Sequence, residues 1–117
     1  MTEAIIGTAY DVANALGTGF LEKVYENALC HELGKRGFRV EQQKSISVLY
    51  DGRAVGEYFA DLLVEECIIL ELKAVKQPDS IHQAQCMNYL KATNLSVALL
   101  INFGNSKVEV QRIVNNF

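Results

Sequence analysis

The run from Cys67 to Ala74 constrains the fold more than any other part of the chain. It reads Cys-Ile-Ile-Leu-Glu-Leu-Lys-Ala. A run this apolar, with no polar face, marks a strand buried on both sides and central in its sheet. Yet it carries Glu71 and Lys73, two residues apart and therefore on one face of the strand. A second run, Phe-Ala-Asp-Leu-Leu-Val from Phe59 to Val64, puts Asp61 in the same kind of setting. Buried strands rarely hold a charge without a partner or a task, because unpaired burial is costly.

The surrounding pattern supplies the rest of the elements. Ile5, Ala9, Val12, Ala13 and Leu16 fall on one helical face, so residues 3–16 read as an amphipathic helix with Thr2 as N-cap and Gly17 as its stop. After Gly17-Thr18-Gly19, a second helix is expected over about 20–35. Phe38 to Glu41 and Ser45 to Tyr50 read as extended runs, and Asp51-Gly52 is a hairpin signal leading into a strand over 53–64. Glu65-Glu66 turns the chain into the 67–74 strand. Ser80 and Gln83 fit a capping box for a helix ending near Ala92. Strands over 97–103 and 108–113 close an ααβββαβ(β) order. The strand-helix-strand passage from 67 to 103 implies a parallel pair with a right-handed crossover. Neither a repeat nor a linker interrupts the chain, so residues 1–117 read as one α/β domain, a mixed sheet flanked by helices.

Carboxylates at positions such as 61 and 71 bind a hard divalent cation, Mg²⁺ or Mn²⁺, through oxygen. Such a cation activates water and stabilises charge on a phosphoryl group. A lysine beside it orients the attacking water or assists with its proton. The alternative is a buried ion pair with no chemical role.

These residues resemble a known family. Asp61 with Glu71-Leu72-Lys73 resembles the D…(D/E)xK signature of the PD-(D/E)XK nuclease superfamily, with its restriction-endonuclease-like fold. Gly19-Phe20-Leu21-Glu22-Lys23-Val24-Tyr25 resembles the motif of the GxxExxY family within it. Ala-Asp-Leu-Leu-Val-Glu, Leu-Glu-Leu-Lys-Ala-Val and Ile-His-Gln-Ala-Gln-Cys-Met-Asn-Tyr-Leu-Lys-Ala-Thr also look like that family, in order and over nearly the whole chain. Ala60 stands where the superfamily's eponymous proline would precede the aspartate. The resemblance implies Mg²⁺-dependent phosphodiester hydrolysis, with Glu22, Asp61 and Glu71 as metal ligands and Lys73 assisting the nucleophile. Glu22 by itself would also be explained by its place in the first turn of a helix. Gln85 and Tyr89, four apart on one helical face, resemble the QxxxY motif of recombination-type exonucleases. That likeness implies that Gln85 supports the catalytic group and Tyr89 approaches substrate. Tyr25 is expected to pack in the core.

Composition bounds the partners. The chain has 14 Asp plus Glu against 11 Lys plus Arg, a net charge of -3. Setting aside the three acids assigned to metal leaves the two signs balanced, which permits a basic face. Nucleic acid is the expected partner, DNA ahead of RNA, with self-association or a protein partner as a further source of grip. The rival reading is a non-catalytic nucleic-acid-binding or interaction module that keeps the nuclease fold. The longest apolar run falls well short of the roughly 20 residues a bilayer needs. Three cysteines at unrelated spacings and an opening Met-Thr-Glu-Ala without a basic stretch point to the cytoplasm. Cys30, Cys67 and Cys86 read as small buried hydrophobes, and no CxxC or HxxxH pair suggests zinc.

The metal reading makes one geometric demand. A two-residue turn at Glu65-Glu66 would pair Asp61 with Leu70 and send Asp61 and Glu71 to opposite faces. A three-residue loop, Glu65-Glu66-Cys67, would pair Val64 with Ile68 and Asp61 with Glu71. Phe59, Asp61, Leu63, Ile69, Glu71 and Lys73 would then share a face beside the helix that carries Glu22, with the two carboxylates roughly 4–5 Å apart.

Overall fold

Five strands stand side by side in chain order, β1 (Val40–Tyr50), β2 (Arg53–Val64), β3 (Ile68–Lys73), β4 (Val97–Asn102) and β5 (Glu109–Val114), so β3 is central. The computed structural model describes residues 1–116. Every residue of β3 up to Leu72 is buried, as its unbroken hydrophobicity requires. β1, β2 and β3 are antiparallel neighbours, β3 and β4 are parallel, and β5 returns antiparallel. The parallel pair is joined through α3 (Ser80–Thr93). Among the described residues the result is a mixed α/β fold with a five-stranded sheet and three helices.

Helices cover both sheet faces. α1 (Thr2–Leu16) and α2 (Glu22–Lys35) bury Ile5, Ala9, Tyr25, Leu29 and Leu33 against Leu62, Leu70, Leu72 and Ile101. α3 buries Cys86, Tyr89 and Leu90 against Ile46, Ala60, Ile69 and Leu100 on the other side. Tyr25 is core, as expected: its ring stacks on Phe103 at 4.6 Å and its hydroxyl donates to the Gly17 carbonyl at 2.6 Å. No helix is long and apolar enough to cross a membrane among the described residues.

Several sequence expectations are corrected. Thr2 lies inside α1 and Met1 takes the cap position, while the Thr2 hydroxyl accepts from Arg112 at 2.6 Å. Asp79, not Ser80, caps α3 by accepting the Ile81 N–H at 3.1 Å, and Gln83 reaches across to Gln111 rather than back to the cap. Cys67 is exposed and Cys30 half-buried; Cys86 alone is buried. The two extended runs over 38–50 are one strand, β1. The hairpin at Asp51-Gly52 forms with both residues left-handed, at φ 57° and 75°, the twist that suits a two-residue turn.

One irregularity positions the site. Val40, Leu62 and Val64 pack on the α1/α2 side, whereas Ile46 and Ala60, also at even positions, pack on the α3 side. Strict alternation forbids this, so both strands reverse their faces between. The reversal falls where β1 and β2 lack a pair, at Gln43 and Asp61, and Gln43 has φ 54°. Beyond it, the outer part of the β1–β2 hairpin runs past β3 as a two-stranded ribbon, since β3 pairs only with Leu62 to Val64.

Candidate functional site

The loop after β2 has the odd length that the site demands. Val64 pairs with Ile68, Leu63 with Ile69 and Leu62 with Leu70, so Asp61 and Glu71 come next, opposite each other. There the backbone ladder gives way to side chains. The Asp61 N–H donates to the Glu71 carboxylate at 3.1 Å, and the Leu72 N–H donates to the Asp61 carboxylate at 2.8 Å. Each strand thus holds the other's carboxylate. Phe59 does not join this face as expected. The reversal at Asp61 turns Tyr58 and Ala60 toward α3 and leaves Phe59 49% exposed.

Burial and mutual charge act on these acids together. Glu71 is buried among apolar neighbours and lies beside the Asp61 and Glu22 charges. Burial foremost, then Asp61, pushes its carboxyl up to about 8. Burial also raises the Asp61 carboxyl, helped by Glu26, while the Leu72 N–H pulls it back. Ion pairs among the described residues involve other side chains and leave Asp61, Glu71 and Lys73 outside. That geometry does not support a structural ion pair as the reason for these charges.

α2 reaches the group from the far side of the sheet. Glu22, exposed in its first turn, accepts from the Ala74 N–H at 3.3 Å, just past the end of β3. The sequence reading missed Glu26. It is 4% exposed and accepts from Lys23 at 2.8 Å, Gln42 at 2.6 Å and Gln43 at 2.9 Å. Gln43 also donates to Asp61 at 3.3 Å. Glu26 lies four residues after Glu22, on the same helical face, a spacing that by itself does not set it apart from solvated surface.

α3 closes the other side. Gln85 and Tyr89 line a cleft of about 360 Å³ together with Lys73 and Tyr58. Tyr89 is 4% exposed, and burial plus the Glu71 and Asp61 charges push its phenol up to about 12. The same causes, burial first and Glu71 next, raise the Cys86 thiol to about 12, which makes it an inert core residue. Glu71, two residues from both Ile69 and Lys73 on one strand face, therefore lies on the α3 side of β3 with Lys73, Gln85 and Tyr89; Asp61 lies between β2 and β3, held by Leu72 and Gln43, and Glu22 approaches from α2.

A hard divalent cation suits the donors present. Burial and mutual repulsion disfavour charge on these two carboxyls when they are alone, and a cation beside them favours it. No three His, Cys, Asp or Glu side chains converge into a metal cage among the described residues. Mg²⁺ does not need one, since it keeps several waters and binds through one or two carboxylates plus substrate phosphate.

The family model described as the PD-(D/E)XK nuclease superfamily matches residues 1–113. The crystal structure of SSO0001 superposes with a TM-score of 0.60 at 15% identity, over 82% of this chain and 48% of that one. The chain thus spans about half the length of that solved relative, and the likeness is one of fold. No curated protein matches.

Proposed function

We propose that this chain, which belongs to the PD-(D/E)XK nuclease superfamily, hydrolyses phosphodiester bonds in nucleic acid with Mg²⁺ or Mn²⁺. The observation that carries the reading is the Asp61–Glu71 pair: two carboxylates just beyond the last paired residues of β2 and β3, each held by an N–H of the other's strand, with neither in an ion pair among the described residues. Within the superfamily, the Gly19–Tyr25 motif favours the GxxExxY family. DNA ranks ahead of RNA, and the cytoplasm is the expected compartment.

Each residue has a task in this reading. Asp61 and Glu71 hold the cation, with Glu22 as a third carboxylate at the end of β3. The cation, when bound, supplies charge neutralisation at the phosphoryl group and a more acidic water. Lys73, two residues from Glu71 on one strand face, orients the attacking water and carries positive charge to the phosphoryl oxygens. Water adds to phosphorus as the bond to the leaving oxygen breaks; solvent takes the proton that the attacking water loses and supplies one to the leaving oxygen. Gln85 supports Lys73 from α3, and Tyr89 stands behind them near the substrate path. Glu26 and Gln43 hold Asp61 from the α2 side and are positioning residues.

The test is incubation with single- and double-stranded DNA and RNA in Mg²⁺ or Mn²⁺, beside Lys73→Ala. Cleavage that falls roughly 100-fold or more in the variant is expected. Calorimetry should show Mn²⁺ binding that weakens strongly in Asp61→Ala and Glu71→Ala. Equal affinity in all three proteins would sink the metal assignment. Binding of nucleic acid without turnover in either cation would favour the non-catalytic module.

A further inference from the structure

The cleft that holds Lys73 continues along α3 away from the site. Its first stretch is lined by Tyr58, Lys73, His82, Gln85, Asn88 and Tyr89. A second stretch, of about 450 Å³, is lined by Val48, Leu49 and Lys91, and again by Tyr58 and Asn88. The shared residues make the two stretches one groove between the β1–β2 ribbon and α3.

Two features of the groove point to its occupant. The first is charge. Lys73 and Lys91 line it, and no Asp or Glu does among the described residues, although acids outnumber bases in the chain. An anion that runs the length of the groove matches this. The second is Tyr58. It lies in both stretches, is 48% exposed, and packs its ring against Tyr89 at 5.7 Å with a 49° tilt. An aromatic ring held from behind and open in front is a platform for another flat ring. Paired bases in a duplex show only their edges, whereas an unpaired base offers its face.

We propose that this groove is a track for single-stranded nucleic acid, in which one base stacks on Tyr58 and Lys91 meets a phosphate farther along the strand. Gln85 and Asn88, three apart on α3, offer amide donors and acceptors to the edge of the stacked base. The direction of the strand, toward Lys73, rests on the nuclease reading; the stacking platform does not. Both DNA and RNA present this chemistry, and the test separates them.

The chain contains no tryptophan, so Tyr58→Trp supplies a unique fluorophore at the platform. It is titrated in chelator at low salt with a single strand of about ten nucleotides, as DNA and as RNA, and with the duplex of the same sequence. Quenching by the DNA or RNA single strand and not by the duplex is expected. Anisotropy with labelled strands should show Tyr58→Leu weakening single-strand binding roughly tenfold. Lys91→Glu should weaken it and flatten its salt dependence. Tyr58 is half-exposed and Lys91 exposed, and unchanged melting curves confirm that both variants fold. Equal affinity for the duplex, or single-strand affinity untouched in both variants, overturns the proposal. Cleavage measured in parallel keeps the two readings apart. Cleavage with Tyr58-independent binding overturns the track and leaves the nuclease. Tyr58-dependent binding of single strands without cleavage supports the track and overturns turnover.

Discussion

Glu71→Gln isolates the tension built into the site. The amide keeps the size of the carboxyl and an oxygen that can accept the Asp61 N–H, and it removes the charge. The folded state holds Glu71 at about 8 against an ordinary 4.5. Below about 4.5 the group is protonated whether folded or unfolded, and costs nothing. Between the two values the folded chain binds more protons than the unfolded one, so stability falls as pH rises. Above about 8 the whole penalty is present. At about 1.36 kcal/mol per pH unit it comes to on the order of 5 kcal/mol as an upper bound. Water entering around the carboxylates brings it nearer about 3 kcal/mol. In a chain of this size that is a melting-temperature difference of about 10 °C.

The assay is thermal melting of both proteins in chelator from pH 5 to 8.5. The curves should nearly coincide at pH 5 and separate above it, with Glu71→Gln the more stable. The variant should keep a shallow slope of its own, because the Asp61 carboxyl is raised as well. Mn²⁺ should then raise the wild type and close the gap, since a ligand stabilises only the state that binds it. A variant less stable than wild type by a constant amount at every pH would refute the reasoning, and would make Glu71 a member of a structural ion pair.

Two further outcomes follow from the backbone. A Cβ on Gly104 would collide with the backbone carbonyl oxygen and nitrogen of Val75. The Asn102 side chain clamps the same segment through Val75 and Gly104 at 2.8–3.0 Å. Gly104→Ala should therefore cost about 3 kcal/mol, read as a lower denaturation midpoint. In the β2–β3 loop, Glu65 and Glu66 both have left-handed backbone, at φ 52° and 58°. Glu66→Gly relieves one of them and should add about 0.5–1 kcal/mol in the same measurement; a loss would show that the Glu66 side chain holds the loop.

The sheet was legible because its patterns are strong. β2 has the bounds read from Asp51-Gly52 and the Glu65-Glu66 turn, and β3 is central because nothing in it suits water. The three-residue loop could be argued in advance because one register puts both acids on one face and the other does not. The cap of α3 could not, since Asp79 and Ser80 are adjacent and both good caps. Glu26 was hidden by company: in a helix start of Glu-Lys-Val-Tyr-Glu, one more carboxylate looks like solvated surface, and only the approach of β1 buries it.

The reversal at Gln43 and Asp61 was illegible for a deeper reason. Glutamine carries no signal for left-handed backbone, and the alternation on each side of it is locally sound. Only the two cores, which take even-numbered residues on opposite sides, betray the break. Yet the candidate site depends on it. A regular strand would spend the Asp61 and Leu72 amides on backbone carbonyls; here they go to the two carboxylates. The sheet loses a stretch of regular pairing, and in exchange two acids that repel each other are held at fixed positions across two strands. Among the described residues the local rule is broken where buried carboxyls collect, as sequence rules tend to break at functional sites. The same break turns Tyr58 toward α3, which links the platform of the groove to the geometry of the carboxylates.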